Sequence, residues 1–88
     1  MQDKQEIFNK ALQLQMKGKF DKAQKIYLKL ISENISNDKL FFFTGTSFLQ
    51  TNDYDKAIKF LDKSIKLNPD IPEAYNNKGI ALKKIEKY

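Results

Sequence analysis

The sequence predicts an all-α fold, a row of stacked helical hairpins containing five helices, and three observations lead there. The chain repeats itself at a spacing of 34 residues, the apolar residues of each period recur at helical intervals, and only 3 Gly and 2 Pro interrupt 88 residues. The repeat shows where Phe20-Asp21-Lys22-Ala23 falls on Tyr54-Asp55-Lys56-Ala57, with Lys25 on Lys59, Lys29 on Lys63, Ile31 on Ile65 and Asn34 on Asn68. A third copy follows at once. Phe41, Gly45 and Phe48 recur as Tyr75, Gly79 and Leu82, and Tyr54 recurs as Tyr88.

The first helix, at about 4–17, carries Ile7, Ala11 and Leu14 on one face and stops at Gly18, a residue able to take the left-handed conformation of a C-terminal cap. The second, about 20–34, has Ala23, Ile26, Tyr27, Leu30 and Ile31 at helical spacing, and Asp21 in the first turn where a carboxylate suits the exposed N–H groups. The third, about 38–51, carries Phe41, Gly45 and Phe48 and ends at Asn52, the counterpart of Gly18. The fourth, about 54–67, repeats the second with Asp55 in its first turn, and Asn68-Pro69 ends it. Pro72 opens the fifth, about 71–86. The repeats then span about 4–37, 38–71 and, incompletely, 72–88, within one domain.

Composition narrows the function. With no Cys and no His, the chain lacks the commonest metal ligands, disulfides and the usual nucleophile–base pairs, so neither catalysis nor a cofactor is expected. Asp21, Asp53, Asp55 and Asp62 fall in turns or on outward positions among Lys, where nothing desolvates a carboxyl for acid–base work. No apolar stretch approaches the ~20 residues of a membrane span, and the polar start has no signal-peptide core, so a cytoplasmic chain is expected. The net charge of +5 comes from 16 Lys and no Arg. Lysine is a flexible point charge, and the bidentate grips that recognise phosphate or base edges fall to Arg.

At the repeat-equivalent sites the second copy holds Phe41, Thr44-Gly45, Phe48, Ala57, Leu61 and Pro69, and the third holds Tyr75, Lys78-Gly79 and Leu82. The first is more divergent: Ile7, Lys10-Ala11, Leu14, Ala23 and Tyr27, with Ile35 where proline is usual. Over nearly the whole chain this pattern resembles the tetratricopeptide repeat. The resemblance implies a right-handed α-solenoid of about two and a half repeats with a concave and a convex surface. Small residues Ala11, Gly45 and Gly79 opposite Ala23 and Ala57 are expected to let paired helices approach closely. The sequence stops within the third copy. The expected reading is a stretch of a longer array, and the alternative is a fifth helix serving as a cap that leaves Tyr75, Leu82 and Tyr88 incompletely covered.

In tetratricopeptide arrays ligands lie along the concave surface formed by the first helices. The resemblance projects it onto Gln5, Phe8, Asn9, Leu12 and Gln15, then Lys39, Phe42, Phe43, Thr46, Leu49 and Gln50, then Glu73, Asn76, Asn77, Ile80 and Lys83. The carboxylate-clamp subgroup, which grips acidic chaperone tails, has Lys and Asn at the sites of Phe8 and Leu12, Asn at that of Phe43, and Lys and Arg at those of Glu73 and Asn77. None of them matches, so that ligand is not expected. The lining is instead apolar, from Phe8, Leu12, Phe42, Phe43, Leu49 and Ile80, with Asn9, Gln15, Gln50, Asn76 and Asn77 able to bond a ligand backbone. Three consecutive Phe point ~100° apart on a helix. Phe41 takes the intra-repeat core, and Phe42 and Phe43 either anchor a ligand or fill the solenoid interior.

Lys22, Lys25 and Lys29, with Lys56, Lys59, Lys63 and Lys66, form a convex ridge, and its ordinary reading is a solvated face. Nucleic acid is not the expected partner, because Arg and interleaved aromatics are missing there and Asp21, Asp55 and Asp62 lie nearby. The expected function is a non-catalytic interaction module that takes a partner peptide or amphipathic helix in the concave groove. The alternative is self-assembly into a homo-oligomer, through the Tyr75, Leu82 and Tyr88 edge or through the groove.

Overall fold

Five amphipathic stretches become five helices in the computed structural model, which describes residues 3–87. They are α1 (Lys4–Met16), α2 (Phe20–Ser32), α3 (Asp38–Gln50), α4 (Tyr54–Leu67) and α5 (Pro72–Glu86), with no strand among the described residues. Side chains cap three of the starts. The Asp3 carboxylate accepts from the Glu6 amide at 2.8 Å, the Asn37 side chain from the amides of Lys39 and Leu40 at 2.9 and 3.2 Å, and Asp53 from the Lys56 amide at 3.4 Å. Asp21 and Asp55 stand in the first turns of α2 and α4 as expected.

Left-handed residues mark three of the ends. Gly18 (φ 80°) and Asn52 (φ 65°) behave as the sequence predicts, and Asn34 (φ 64°) joins them. That last residue corrects the expected length of α2, which ends at Ser32 rather than near 34. Its counterpart Asn68 is instead extended (φ −146°), ahead of Pro69. With Ile35 in place of that proline, the first repeat turns by a left-handed asparagine where the second turns through Asn-Pro.

Each hairpin has an apolar face that the next helix covers. Ala11, Ala23, Tyr27 and Leu30 form the first cluster with Leu40, which α3 contributes from the second repeat. Phe41, Phe48, Ala57 and Phe60 form the second with Ala81, which α5 contributes from the third. The array is elongated, 45 × 26 × 20 Å. The tightest seam is α3 on α4: a Cβ placed on Gly45 meets Leu61 Cγ at 2.8 Å, the Leu61 amide nitrogen at 3.0 Å and the Ala57 carbonyl oxygen at 3.1 Å. Gly79, the repeat-equivalent glycine, has nothing within 4 Å. Among the described residues the close approach expected at both glycines is found at Gly45 and not at Gly79.

Polar side chains tie the repeats across the α2–α3 joint. The buried Tyr27 hydroxyl donates to Gln15 Oε1 at 2.7 Å, and Gln15 Nε2 donates to Gln50 Oε1 at 2.9 Å. Gln24 Nε2 donates to the Ser47 carbonyl at 3.1 Å and to Thr51 Oγ1 at 3.0 Å. Among the described residues no buried side-chain polar atom lacks a partner.

Gly45→Ala is expected to destabilise the fold by about 1–3 kcal/mol, because the new methyl meets backbone as well as a flexible side chain. Gly79→Ala adds the same methyl to open space and is expected to stabilise by ~0.5–1 kcal/mol through helix propensity alone. Urea denaturation of the two variants separates these signs. Tyr27→Phe leaves Gln15 Oε1 without its donor and is expected to cost ~1–2 kcal/mol. Burial also holds the Tyr27 hydroxyl pKa above its ordinary value. Unfolded tyrosine ionises near pH 10, so the contribution is complete below that pH and falls as pH rises above it. Comparing wild type with Tyr27→Phe in alkaline denaturation titrations is expected to show a shallower loss in the variant.

Candidate partner-binding groove

The first-helix positions of α1 and α3 converge on a groove of about 480 Å³, lined by Gln5, Phe8, Asn9, Leu12, Asp38, Lys39, Phe42, Phe43, Asn68 and Ile71. Helical spacing puts Phe8 and Leu12 one turn apart on α1, and Phe42 and Phe43 come from the same turn of α3. The rings form a continuous line. Phe8 meets Tyr27 at 5.9 Å between centroids and Phe43 at 6.0 Å, and Phe43 meets Phe42 edge-on at 5.1 Å and 78°. All three phenylalanines are half-buried, held by packing yet still reaching the surface.

The structure therefore brings together Phe8, Asn9, Leu12, Phe42 and Phe43, and separates them from the other residues expected to line the groove. Gln15 is 7 % exposed and bonded on both sides, so it is part of the core. The buried hydroxyl of Tyr27 needs an acceptor, and Gln15 supplies it. Gln50 uses its carbonyl oxygen on Gln15, and Thr46 Oγ1 accepts from Asn77 Nδ2 at 3.2 Å, joining α3 to α5. Leu49 is half-buried against the second cluster. Asn76 and Ile80 are exposed on α5, outside the residues that line the groove. Tyr75 and Leu82 are 48 % and 44 % exposed; Tyr88 lies outside the described residues.

Ile71, Asn68 and Asp38 are lining residues that sequence reasoning missed. They sit at the α4–α5 turn and the first residue of α3, whereas the projected surface follows first-helix positions alone. Asn68 Nδ2 donates to Asp38 Oδ2 at 3.0 Å, so this wall is held by a link between the turn and α3. A second cavity of about 430 Å³ adjoins it, sharing Gln5, Phe8, Asp38 and Lys39 and extending to Leu30, Ile35 and Leu40.

Three of the convex lysines, all on α4, lie over rings. Lys56 lies over the Phe48 ring at 5.4 Å, Lys59 over Phe60 at 5.5 Å, and Lys63 over Phe41 at 5.6 Å and Phe60 at 5.7 Å. The sequence reading found no aromatics interleaved there, and the structure differs. Rings do lie beneath these lysines, but Phe41, Phe48 and Phe60 are 7 %, 5 % and 5 % exposed, which leaves no face on which a base could stack. Asp53 and Asp62 engage Lys56 at 3.7 Å and Lys78 at 2.6 Å.

Among the described residues no helix is long and apolar enough to cross a membrane, and no three acidic, Cys or His side chains gather as a metal site. Comparison with known proteins supplies the family. Residues 45–85 match the family described as TPR repeat. An uncharacterised protein of Methanocaldococcus jannaschii is 31% identical over 58 residues, covering 66% of this chain and 67% of that one. The solved structure titled MamA MSR-1 C2 superposes with a TM-score of 0.86 at 21% identity over 97% of this chain. This chain spans 49% of that one, about half its length. The 34-residue period, the helical hairpins and these likenesses agree: the chain belongs to the tetratricopeptide-repeat family.

Proposed function

We propose that this chain is a non-catalytic protein-interaction module that takes a peptide or amphipathic helix of a partner into the groove between α1 and α3. The observation that carries the reading is the line of half-buried rings from Phe8 through Phe43 to Phe42, beside Leu12, around a cavity of about 480 Å³. Aromatic side chains held in place yet open to solvent have the character of interface hot spots, because they bury large area on binding with little further loss of freedom. The rim is polar, from Gln5, Asn9, Lys39 and Asn68, and suits a ligand that hydrogen-bonds along its backbone while one or two large apolar side chains enter.

The bonded states of Gln15, Thr46, Gln50 and Asn77 narrow the proposed contact surface to residues 5–12 of α1 and 38–43 of α3, with Ile71 as its far wall. A short anchor segment fits this better than a ligand running the whole length of the array.

Panning a random twelve-residue peptide library against the 88-residue chain tests the proposal. The expected selectants carry an aromatic or large aliphatic anchor, and Phe42→Glu is expected to weaken them at least about tenfold while circular dichroism stays unchanged. Lys59→Glu, on the convex side, is expected to leave affinity as it was. Selectants indifferent to Phe42→Glu overturn the site. Concentration-dependent association of the chain itself, abolished by Phe42→Glu, would reassign the groove to self-assembly.

A further inference from the structure

The cavity of about 430 Å³ beside the groove lies off the surface formed by the first helices, and its size is that of a ligand pocket. Its floor is Leu30 of α2 and Leu40 of α3, 2 % and 3 % exposed, and its walls are the half-buried Phe8 and Ile35. Ile35 belongs to the turn between the first two repeats, which Asn34 makes with φ 64°. At the repeat-equivalent sites of the next joint stand Ser64, Pro69 and Ala74 in place of Leu30, Ile35 and Leu40. The apolar lining is therefore particular to the first joint and is not a property of the repeat.

Cavity and groove share a wall. Phe8 and Lys39 line both, so the two spaces are about one side chain's width apart. Residues two apart in an extended peptide span about 7 Å, and residues one helical turn apart span about 5–6 Å, so a single short segment reaches both. The rim charges differ in their engagement. Lys4 is held by Glu33 at 3.3 Å, and Asp38 accepts from Asn68 Nδ2 at 3.0 Å. Lys39, exposed on the shared wall, makes no ion pair among the described residues.

We propose that the ligand is a partner peptide with two anchors, an inference that rests on the groove reading. One large apolar side chain enters the groove beside Phe42, a second enters the cavity against Ile35, and one carboxylate of the same segment pairs with Lys39. A longer acidic run gains nothing further, because it meets the Asp38 carboxylate on the same wall.

Selectants from the twelve-residue library are expected to carry two large apolar residues two to four positions apart, with an Asp or Glu within or beside that span. Ile35→Trp fills the cavity from a wall that the groove does not share, and circular dichroism checks its helicity. In calorimetric titrations, replacing the second anchor by Ala is expected to weaken binding to the unaltered chain at least about tenfold and to change nothing in Ile35→Trp. Lys39→Gln is expected to cost about twofold to fivefold, and a Glu→Gln change in the peptide then costs nothing more. A photoreactive benzophenone at the second-anchor position is expected to label residues 30–40 of the unaltered chain, a readout that needs no variant to fold. Selectants lost in Phe42→Glu but indifferent to Ile35→Trp, or labelling elsewhere, overturn the second anchor and leave the groove standing. Indifference to Phe42→Glu, or no selectant at all, overturns both. Self-association of the chain that Ile35→Trp abolishes gives the cavity to a second copy and overturns the proposal as well.

Discussion

Everything in this chain depends on how closely α3 can approach α4. At Gly45 the missing side chain lets the backbone of α3 lie against Ala57 and Leu61, and that separation stacks the ring of Phe60 between those of Phe41 and Phe48. With the seam closed, the opposite side of α3 is free to send Leu40 into the first cluster and Phe42 and Phe43 to the groove. One helix thus serves three surfaces. Phe41, Phe42 and Phe43 can be adjacent in sequence because each is required by a different neighbour.

The same seam accounts for three lysines of α4, Lys56, Lys59 and Lys63. Long aliphatic stems lie along the edge of the buried ring cluster while their ammonium groups remain at the surface. On α4 the spacing of Lys56, Lys59 and Lys63 follows the rings beneath them.

Much of the fold was legible in the sequence because its determinants are local. Gly18, Asn52, Asp21, Asp55 and Pro72 act within a turn of their own position, and the 34-residue period carries the hairpin order. What escaped were relations across turns and between distant residues. Gln15 occupies a position that faces the groove in the repeat pattern, yet a hydroxyl twelve residues away draws it inward. Ile71 reaches the groove from a turn, where no periodicity marks it, and Asn34 adopts a conformation that its counterpart Asn68 does not share. Of the groove itself, Phe8, Asn9, Leu12, Phe42 and Phe43 could be located from the repeat register, while Gln15, Thr46, Gln50, Asn76 and Asn77, chosen with them, are not among its lining. A side chain's exposure depends on what its neighbours require.

The joint between α2 and α3 is built differently from the two hairpin seams. Leu40 is the buried apolar residue crossing it, and the polar ties are the side-chain amides of Gln15, Gln24 and Gln50. Such bonds give modest net stabilisation and tolerate small changes of angle, whereas the contacts at Gly45 do not. Mechanically the molecule is two stiff plates on a softer spine. Phe8 rides on one plate and Phe43 on the other, so the 6.0 Å between their rings gauges the bend. A side chain wedged between those rings would have to part the two plates, so a ligand bound there would be linked to the curvature of the solenoid.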